Sequence, residues 1–86
     1  MSIDIVNEIR TMSKDGHSLH DIIITIHEHL NYEPYQRGVV MIPLYQALGV
    51  ELRALMDHVL SCRIFGAGTT SVEEMEAWFA LWRQRL

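Results

Sequence analysis

The segment from Ser18 to Leu30, SLHDIIITIHEHL, carries the most informative hydrophobic pattern in the chain. Its run of β-branched residues favours a strand by propensity alone. Its apolar residues, however, recur at i, i+3, i+4, i+7 and i+11, the spacing of one stripe along a helix. Ser18, with Asp21 three residues later, is a short variant of the capping pair that begins helices. The pattern therefore predicts an amphipathic helix with an inward stripe formed by Leu19, Ile22, Ile23, Ile26 and Leu30.

Helical stripes also mark the two ends of the chain. A first helix should run from Ile3 to about Lys14 and end at Gly16. The link from there to the second helix is short, so the two helices should be neighbours. The last helix should begin at Ser71, because Ser71 and Glu74 form a complete capping box. The inward residues are Ile5, Ile9 and Met12 in the first helix and Val72, Met75, Trp78, Phe79, Trp82 and Leu86 in the last.

The middle of the chain is less regular. Pro43 either kinks one long helix or opens a second short one, and the sequence leaves both alternatives open. On composition this is the segment expected to be most buried, with apolar residues Val39, Val40, Ile42, Leu44, Tyr45 and Leu48. Gly49 is a plausible C-cap. A fourth helix should follow to about Cys62, with an inward stripe of Leu52, Leu55, Met56 and Val59, and residues 65–70 should form a loop.

Length and composition set the class of protein. The 86 residues suffice for one small domain spanning 1–86, and 49% apolar with 21% charged residues is typical of globular chains. We expect an all-α fold, a compact bundle of four or five short helices. No apolar stretch approaches the roughly 18 residues of a membrane span, and the first residues lack the pattern of a signal peptide. The lone Cys62 agrees with a reducing compartment, so a cytoplasmic protein is expected.

The charge balance bears on the kind of partner. The formal net charge is −4, and the cations are six scattered arginines and Lys14. They form no basic stripe, which disfavours nucleic-acid binding. An acidic balance suits a basic protein partner, although a charge of this size is equally ordinary for a solvated surface.

Five histidines invite a metal-site interpretation. The run from His27 to His29 is not the HExxH motif, because adjacent helical positions point apart whereas zinc ligands need one turn between them. His17 and His20, with Asp21, straddle a helix start and have no third well-placed ligand. We therefore expect histidines that are solvated or lie at the edge of the core, with no metal and no cofactor.

The best catalytic arrangement in the sequence is a Cys–His pair. Cys62 and His58 are four residues apart on the predicted fourth helix, where they could touch, and Asp57 adjoins His58. However, Asp57 and His58 point about 100° apart on a helix, and no oxyanion donor is evident. A buried structural thiol is the simpler interpretation. We expect no catalytic residue.

A recognition surface is better supported than an active site. Ile24 falls outside the apolar stripe of its helix, Leu81 falls opposite the core-facing tryptophans, and acidic residues follow the outer face of the second helix. The loop after that helix carries aromatic and arginine residues, types that are enriched at binding hot spots. The alternative is that the tyrosines cover the core. The candidate partner-binding residues are Asp21, Ile24, Glu28, Tyr32, Glu33, Tyr35 and Arg37.

Three segments in order, GHSLHDIIITIHEHL, PLYQALGVELRALMDHV and SVEEMEAWF after a glycine-containing loop, resemble small helical proteins encoded beside bacterial toxins. These include the immunity proteins of contact-dependent growth inhibition systems. The resemblance covers about two thirds of the chain and lies in helix patterning, so no binding residue can be carried over. It implies a cytoplasmic protein that binds and blocks one cognate toxin, often through acidic residues that face a basic cleft.

Three hypotheses follow from the sequence. The leading one is a non-enzymatic protein-binding protein, an immunity protein whose partner is a basic toxin domain. The alternative is a self-associating structural or regulatory module, a homo-oligomer in which Trp78, Leu81 and Trp82 pack across a two-fold axis. The third is a small metal-binding or catalytic protein that uses His58 with Cys62, or His17 with His20.

Overall fold

The computed structural model describes residues 3–30, 38–65 and 68–84. Within these ranges the chain forms five α-helices and one 3-10 turn, and its only β-type pairing is an isolated bridge between Cys62 and Thr70. The expected all-α bundle of short helices is therefore confirmed. The helices are α1 (Ile3–Lys14), α2 (Leu19–Leu30), α3 (Gly38–Leu48), α4 (Leu52–His58) and α5 (Val72–Gln84), with the 3-10 turn at Arg63–Phe65.

The ends of α1 and α2 follow their local signals. Gly16 has a φ of +86°, and the amide of His17 donates to the carbonyl of Met12 at 3.0 Å, which closes α1 in the left-handed turn that glycine adopts most readily. Ser18 then caps α2, because its Oγ accepts a hydrogen bond from the amide of Asp21 at 3.0 Å. As predicted, α1 and α2 pack against each other.

The start of α5 is the predicted capping box. The amide of Glu74 donates to Ser71 Oγ at 3.1 Å, and Glu74 Oε1 accepts from the amide of Ser71 at 3.2 Å. Each side chain therefore satisfies a backbone donor that the first turn of a helix leaves free.

Glu76 of α5 holds the beginning of α2. Its two carboxylate oxygens accept hydrogen bonds from the amides of Leu19 and His20, each at 2.8 Å. Arg83, two turns along α5, donates to the carbonyl of His17 at 2.6 Å. Three hydrogen bonds thus fix the turn between α1 and α2 against α5.

In α3, Pro43 lies inside a single helix and is buried. Without an amide hydrogen, the proline removes one backbone hydrogen bond from this helix. The expectation that the segment is the most buried was wrong for two residues, because the exposed fractions are 43% for Ile42 and 46% for Tyr45. Gly49 ends the helix with a φ of +72°, as predicted.

The fourth helix is shorter than predicted, since α4 ends at His58 and not near Cys62. Two members of its expected inward stripe lie outside the core: the exposed fractions are 41% for Leu52 and 56% for Met56. A helix of 7 residues has room for only a narrow contact, and Leu55 is its buried residue. Val59, just after the helix, is also buried.

The connection to α5 is tied to the end of the preceding segment. The amide of Arg63 donates to the carbonyl of Thr70 at 2.8 Å, and the amide of Thr70 donates to the carbonyl of Ser61 at 2.9 Å. A Cβ atom at Gly68 would collide with the carbonyl oxygen of Ser61 and lie 2.6 Å from the carbonyl carbon of Cys62. This close backbone approach requires glycine.

One core joins all five α-helices. α2 lies centrally, in contact with α1, α3 and α5, and α4 packs against α3 and α5. Among the described helices, none has the length and apolar character needed to cross a bilayer. The fully buried large side chains include Ile5 and Ile9 of α1, Leu19, Ile22, Ile23 and Ile26 of α2, Leu44 of α3, Leu55 of α4, and Met75 and Phe79 of α5.

Candidate functional site

The outer face of α2 presents the described candidates together. Asp21, Ile24 and Glu28 follow at i, i+3 and i+7 and are all exposed. Ile24 has 39% of its surface exposed, which agrees with its prediction as an apolar residue outside the core stripe. The face thus combines an apolar centre with a carboxylate on either side along the helix.

Both carboxylates are available to a partner. Within the described residues, the one ion-pair contact joins His29 Nδ1 to Glu8 Oε2 at 3.9 Å and involves neither Asp21 nor Glu28. Exposed carboxylates that form no ion pair within the described part of the chain carry a negative potential, which attracts positively charged groups.

A cavity of about 270 Å³ adjoins this face, between α2 and the 3-10 turn. Ile24 belongs both to the exposed face and to the lining of the cavity. The prediction of a solvated or edge histidine was wrong for His27, which is 3% exposed and packs edge-on against Phe65 with ring centroids 6.2 Å apart. The lining residues are His20, Ile23, Ile24, His27 and Ile64.

A larger cavity of about 510 Å³ lies between α5 and the turn that joins α1 to α2. Its charged side chains already serve the fold: Glu76 accepts the two amides of α2, and Arg83 donates to His17. The Arg83 guanidinium also lies 4.2 Å from the centroid of the Phe79 ring. These contacts engage the Glu76 carboxylate and one terminal nitrogen of Arg83 within the fold, whereas the buried Nε of Arg83 has no hydrogen-bond partner among the described residues.

Four of the sequence-predicted contact residues lie outside the described residues. They are Tyr32, Glu33, Tyr35 and Arg37. The part of the candidate surface that the structure describes is therefore the α2 face with its cavity.

The arrangement that suggested catalysis does not form as predicted. Because α4 ends at His58, His58 and Cys62 are not two residues of one helix. His58 instead stacks on Trp78, with ring centroids 4.9 Å apart and planes 10° from parallel, and Cys62 is completely buried. Among the residues described here, no group of three histidine, cysteine, aspartate or glutamate side chains could hold a metal ion.

The aromatic residues of α5 are engaged within the chain. Trp78 contacts His58, and Trp82 stacks on Phe79 with centroids 5.8 Å apart. Leu81 is 59% exposed, as predicted. Of the three residues expected to form a two-fold interface, only Leu81 is exposed, whereas Trp78 and Trp82 are partly buried against the core.

Two contributors to this region could not be found by sequence reasoning. Ile64 lines the cavity from a segment 40 residues beyond Ile24, and Glu76 holds the start of α2 from α5. Periodicity and capping patterns report on local structure, so neither long-range contact leaves a signal in them. No protein-family model matches the chain, and searches of curated proteins and of solved structures find no similar protein.

Proposed function

We propose that this chain is a non-enzymatic, cytoplasmic protein that binds another protein through the outer face of α2, and that its partner is a basic bacterial toxin domain which it neutralises. The observation that carries the proposal is the exposed group of Asp21, Ile24 and Glu28. The toxin as partner rests on the resemblance of the helical segments to immunity proteins.

The chemistry of this face suits a basic partner. Two carboxylates without an ion pair among the described residues attract lysine and arginine side chains, and the net charge of −4 adds to that field. Charge complementarity mainly raises the association rate and sets specificity. The exposed Ile24 adds apolar area at the centre, where interfaces are least polar. Inhibition would follow from covering the basic surface that the toxin uses.

The first experiment is affinity purification of the tagged chain from its own host, followed by mass spectrometry of co-eluting proteins. A single stoichiometric partner with a basic surface is expected.

Glu28→Lys should then weaken the complex by about tenfold at low salt and reduce its salt dependence, because an attraction becomes a repulsion. Lysine is favourable in the last turn of α2, so the helix itself should be retained.

The matched control is Asp57→Lys, which makes the same change in net charge at an exposed residue of α4. It should change the affinity far less than Glu28→Lys. Equal effects of the two variants would assign the attraction to net charge and remove the α2 face from the proposal.

A second candidate function is self-association through the outer face of α5, favoured by the exposure of Leu81. The neighbouring exposed residues Ala77, Ala80 and Gln84 are uncharged, so they add no like-charge repulsion to a contact between two copies. Sedimentation over a range of protein concentrations tests this function. A strict monomer excludes it, and a dimer that Leu81→Glu dissociates supports it.

A further inference from the structure

We propose that the cavity between α2 and the 3-10 turn receives one aromatic side chain of the partner, and that basic residues flank this aromatic residue in the partner's sequence. The inference rests on the proposed function and names the chemistry of the partner at that site. Buried aromatic anchors surrounded by polar contacts are a common arrangement of binding hot spots.

The position of the cavity connects it to the proposed interface. Ile24 is exposed at the centre of the acidic face and also lines the cavity, whose far side is Ile64 of the 3-10 turn. A partner that covers Ile24 therefore covers the mouth of the cavity. If the partner left the cavity empty, the side chains that line it would lack van der Waals contacts on that side.

The size of the cavity favours a single side chain. Its volume of about 270 Å³ is close to the lower end of the roughly 300–1,000 Å³ typical of pockets that hold whole small molecules, so it suits a small occupant. A large side chain inserted from a partner surface needs less room than a free ligand, because the rest of the partner stays outside.

Charges around the cavity favour an uncharged occupant. Asp21 and Glu28 lie on the α2 side, and Arg63, exposed and adjacent to Ile64, lies on the 3-10 turn. None of these three charged residues belongs to the lining of the cavity, so a charged side chain inside it would lose water without gaining an opposite charge from them. An uncharged anchor avoids that cost, and cations next to it in the partner can face Asp21 and Glu28.

The rings in the lining favour an aromatic anchor over an aliphatic one. His20 and His27 contribute two imidazoles, and His27 already packs edge-on against Phe65 at an interplanar angle of 75°. Aromatic pairs gain stabilisation from such edge-to-face geometry beyond the area that they bury. Tryptophan and tyrosine are also among the residues most enriched at hot spots.

The test uses the full chain labelled at isoleucine methyl groups and titrated with three capped tripeptide amides, Lys-Trp-Lys, Lys-Ala-Lys and Glu-Trp-Glu. Lys-Trp-Lys at millimolar concentration should shift the methyl signals of Ile23, Ile24 and Ile64 in a saturable manner. Lys-Ala-Lys should bind at least about tenfold more weakly, and Glu-Trp-Glu several-fold more weakly. Ile42 on α3, 43% exposed, is the internal control and should not shift.

Two matched variants extend the test to the native complex. Ile24→Ser should weaken both the Lys-Trp-Lys interaction and the partner complex by about tenfold, whereas Ile42→Ser, at a residue of similar exposure, should change neither. Helical circular dichroism of both variants shows whether each remains folded.

The outcomes separate this inference from the proposed function. Equal affinity of Lys-Trp-Lys and Lys-Ala-Lys, no cavity shifts, or largest shifts at Ile42 would overturn the aromatic anchor. If Glu28→Lys weakens the partner complex while Ile24→Ser does not, the anchor is also wrong and the acidic face stands. If Lys-Trp-Lys fills the cavity and Ile24→Ser weakens the partner complex while Glu28→Lys leaves it unchanged, the aromatic anchor is supported and the acidic contact of the proposed function is wrong.

Discussion

Glu76 of α5 connects two helices through its carboxylate. Its two oxygens accept hydrogen bonds from the first two amides of α2, those of Leu19 and His20. Glu76, like Glu73 and Glu74, also lies near the start of its own helix, where negative charge is favourable. Helix patterning shows that local effect but not the hydrogen bonds that Glu76 accepts from a different helix.

Replacing Glu76 tests this contact. Glu76→Ala should lower the free energy of unfolding by about 2 kcal/mol, because two partly buried amides lose a charged acceptor. Glu76→Gln retains one acceptor oxygen and should cost about half as much. Urea unfolding measures both, with the exposed Glu73→Ala as the control. A loss no larger than that of Glu73→Ala would contradict the capping role.

Gly68 offers a second test at the residue scale. Gly68→Ala should lower the free energy of unfolding by about 2 kcal/mol or more, because the new methyl group would meet the backbone of Ser61 and Cys62. Thermal unfolding followed by circular dichroism would record the loss. Gly16→Ala is the control for positive φ without crowding, since no atom lies within 4 Å of its Cβ. Equal stability of Gly68→Ala and the parent chain would show that the backbone around Gly68, Ser61 and Cys62 can move apart to accommodate the methyl group.

At the scale of elements, the predictions succeeded where a helix carries its own start and stop signals. Gly16, Ser18, Ser71 and Glu74 are such signals, and α1, α2 and α5 follow them. The pattern failed in α4, where Leu52 and Met56 fit a helical stripe but lack covering neighbours. Apolar residues are common on protein surfaces, so a stripe identifies a possible inner face without determining how much of it is covered.

Contacts between elements add a prediction of their own. Arg10 of α1 donates from Nε to the carbonyl of Ala47 at 3.0 Å and from a terminal nitrogen to that of Gln46 at 3.3 Å, near the end of α3. Arg10→Met should lower the free energy of unfolding by about 1 kcal/mol, because the last carbonyls of a helix lose a cationic donor. Chemical denaturation measures this loss, with Lys14→Met, at an exposed residue, as the control. Equal denaturation midpoints for the two variants would mean that water satisfies the carbonyls of Ala47 and Gln46 as well as Arg10 does.

At the scale of the whole molecule, one buried cluster includes residues from all five helices. Such a core should unfold in one cooperative transition. The tryptophans report on it, because Trp78 and Trp82 both pack against it. We expect the far-ultraviolet circular dichroism and tryptophan fluorescence midpoints in urea to coincide. A fluorescence midpoint at lower urea than the circular dichroism midpoint would instead show that α5 unfolds separately.

The candidate site shows what the whole fold adds to the sequence. The pattern along α2 placed Ile24 outside the core and Asp21 and Glu28 beside it, since one helix determines those positions. The cavity needs Ile64, which reaches α2 only through the turn after α4. A surface made by one element is predictable from its period, whereas a concave site between elements depends on their packing.

The hydrogen bonds between Glu76 and the first turn of α2 also affect the order in which the fold forms during synthesis. The amide of Leu19 leaves the ribosome 57 residues before its acceptor does. Because synthesis proceeds at roughly 5–20 residues per second, α2 lacks that cap for several seconds. The hydrogen bonds from Leu19 and His20 therefore form only after Glu76 has emerged, and a nascent chain lacking α5 would carry the acidic residues of the proposed face on a helix whose first turn lacks them.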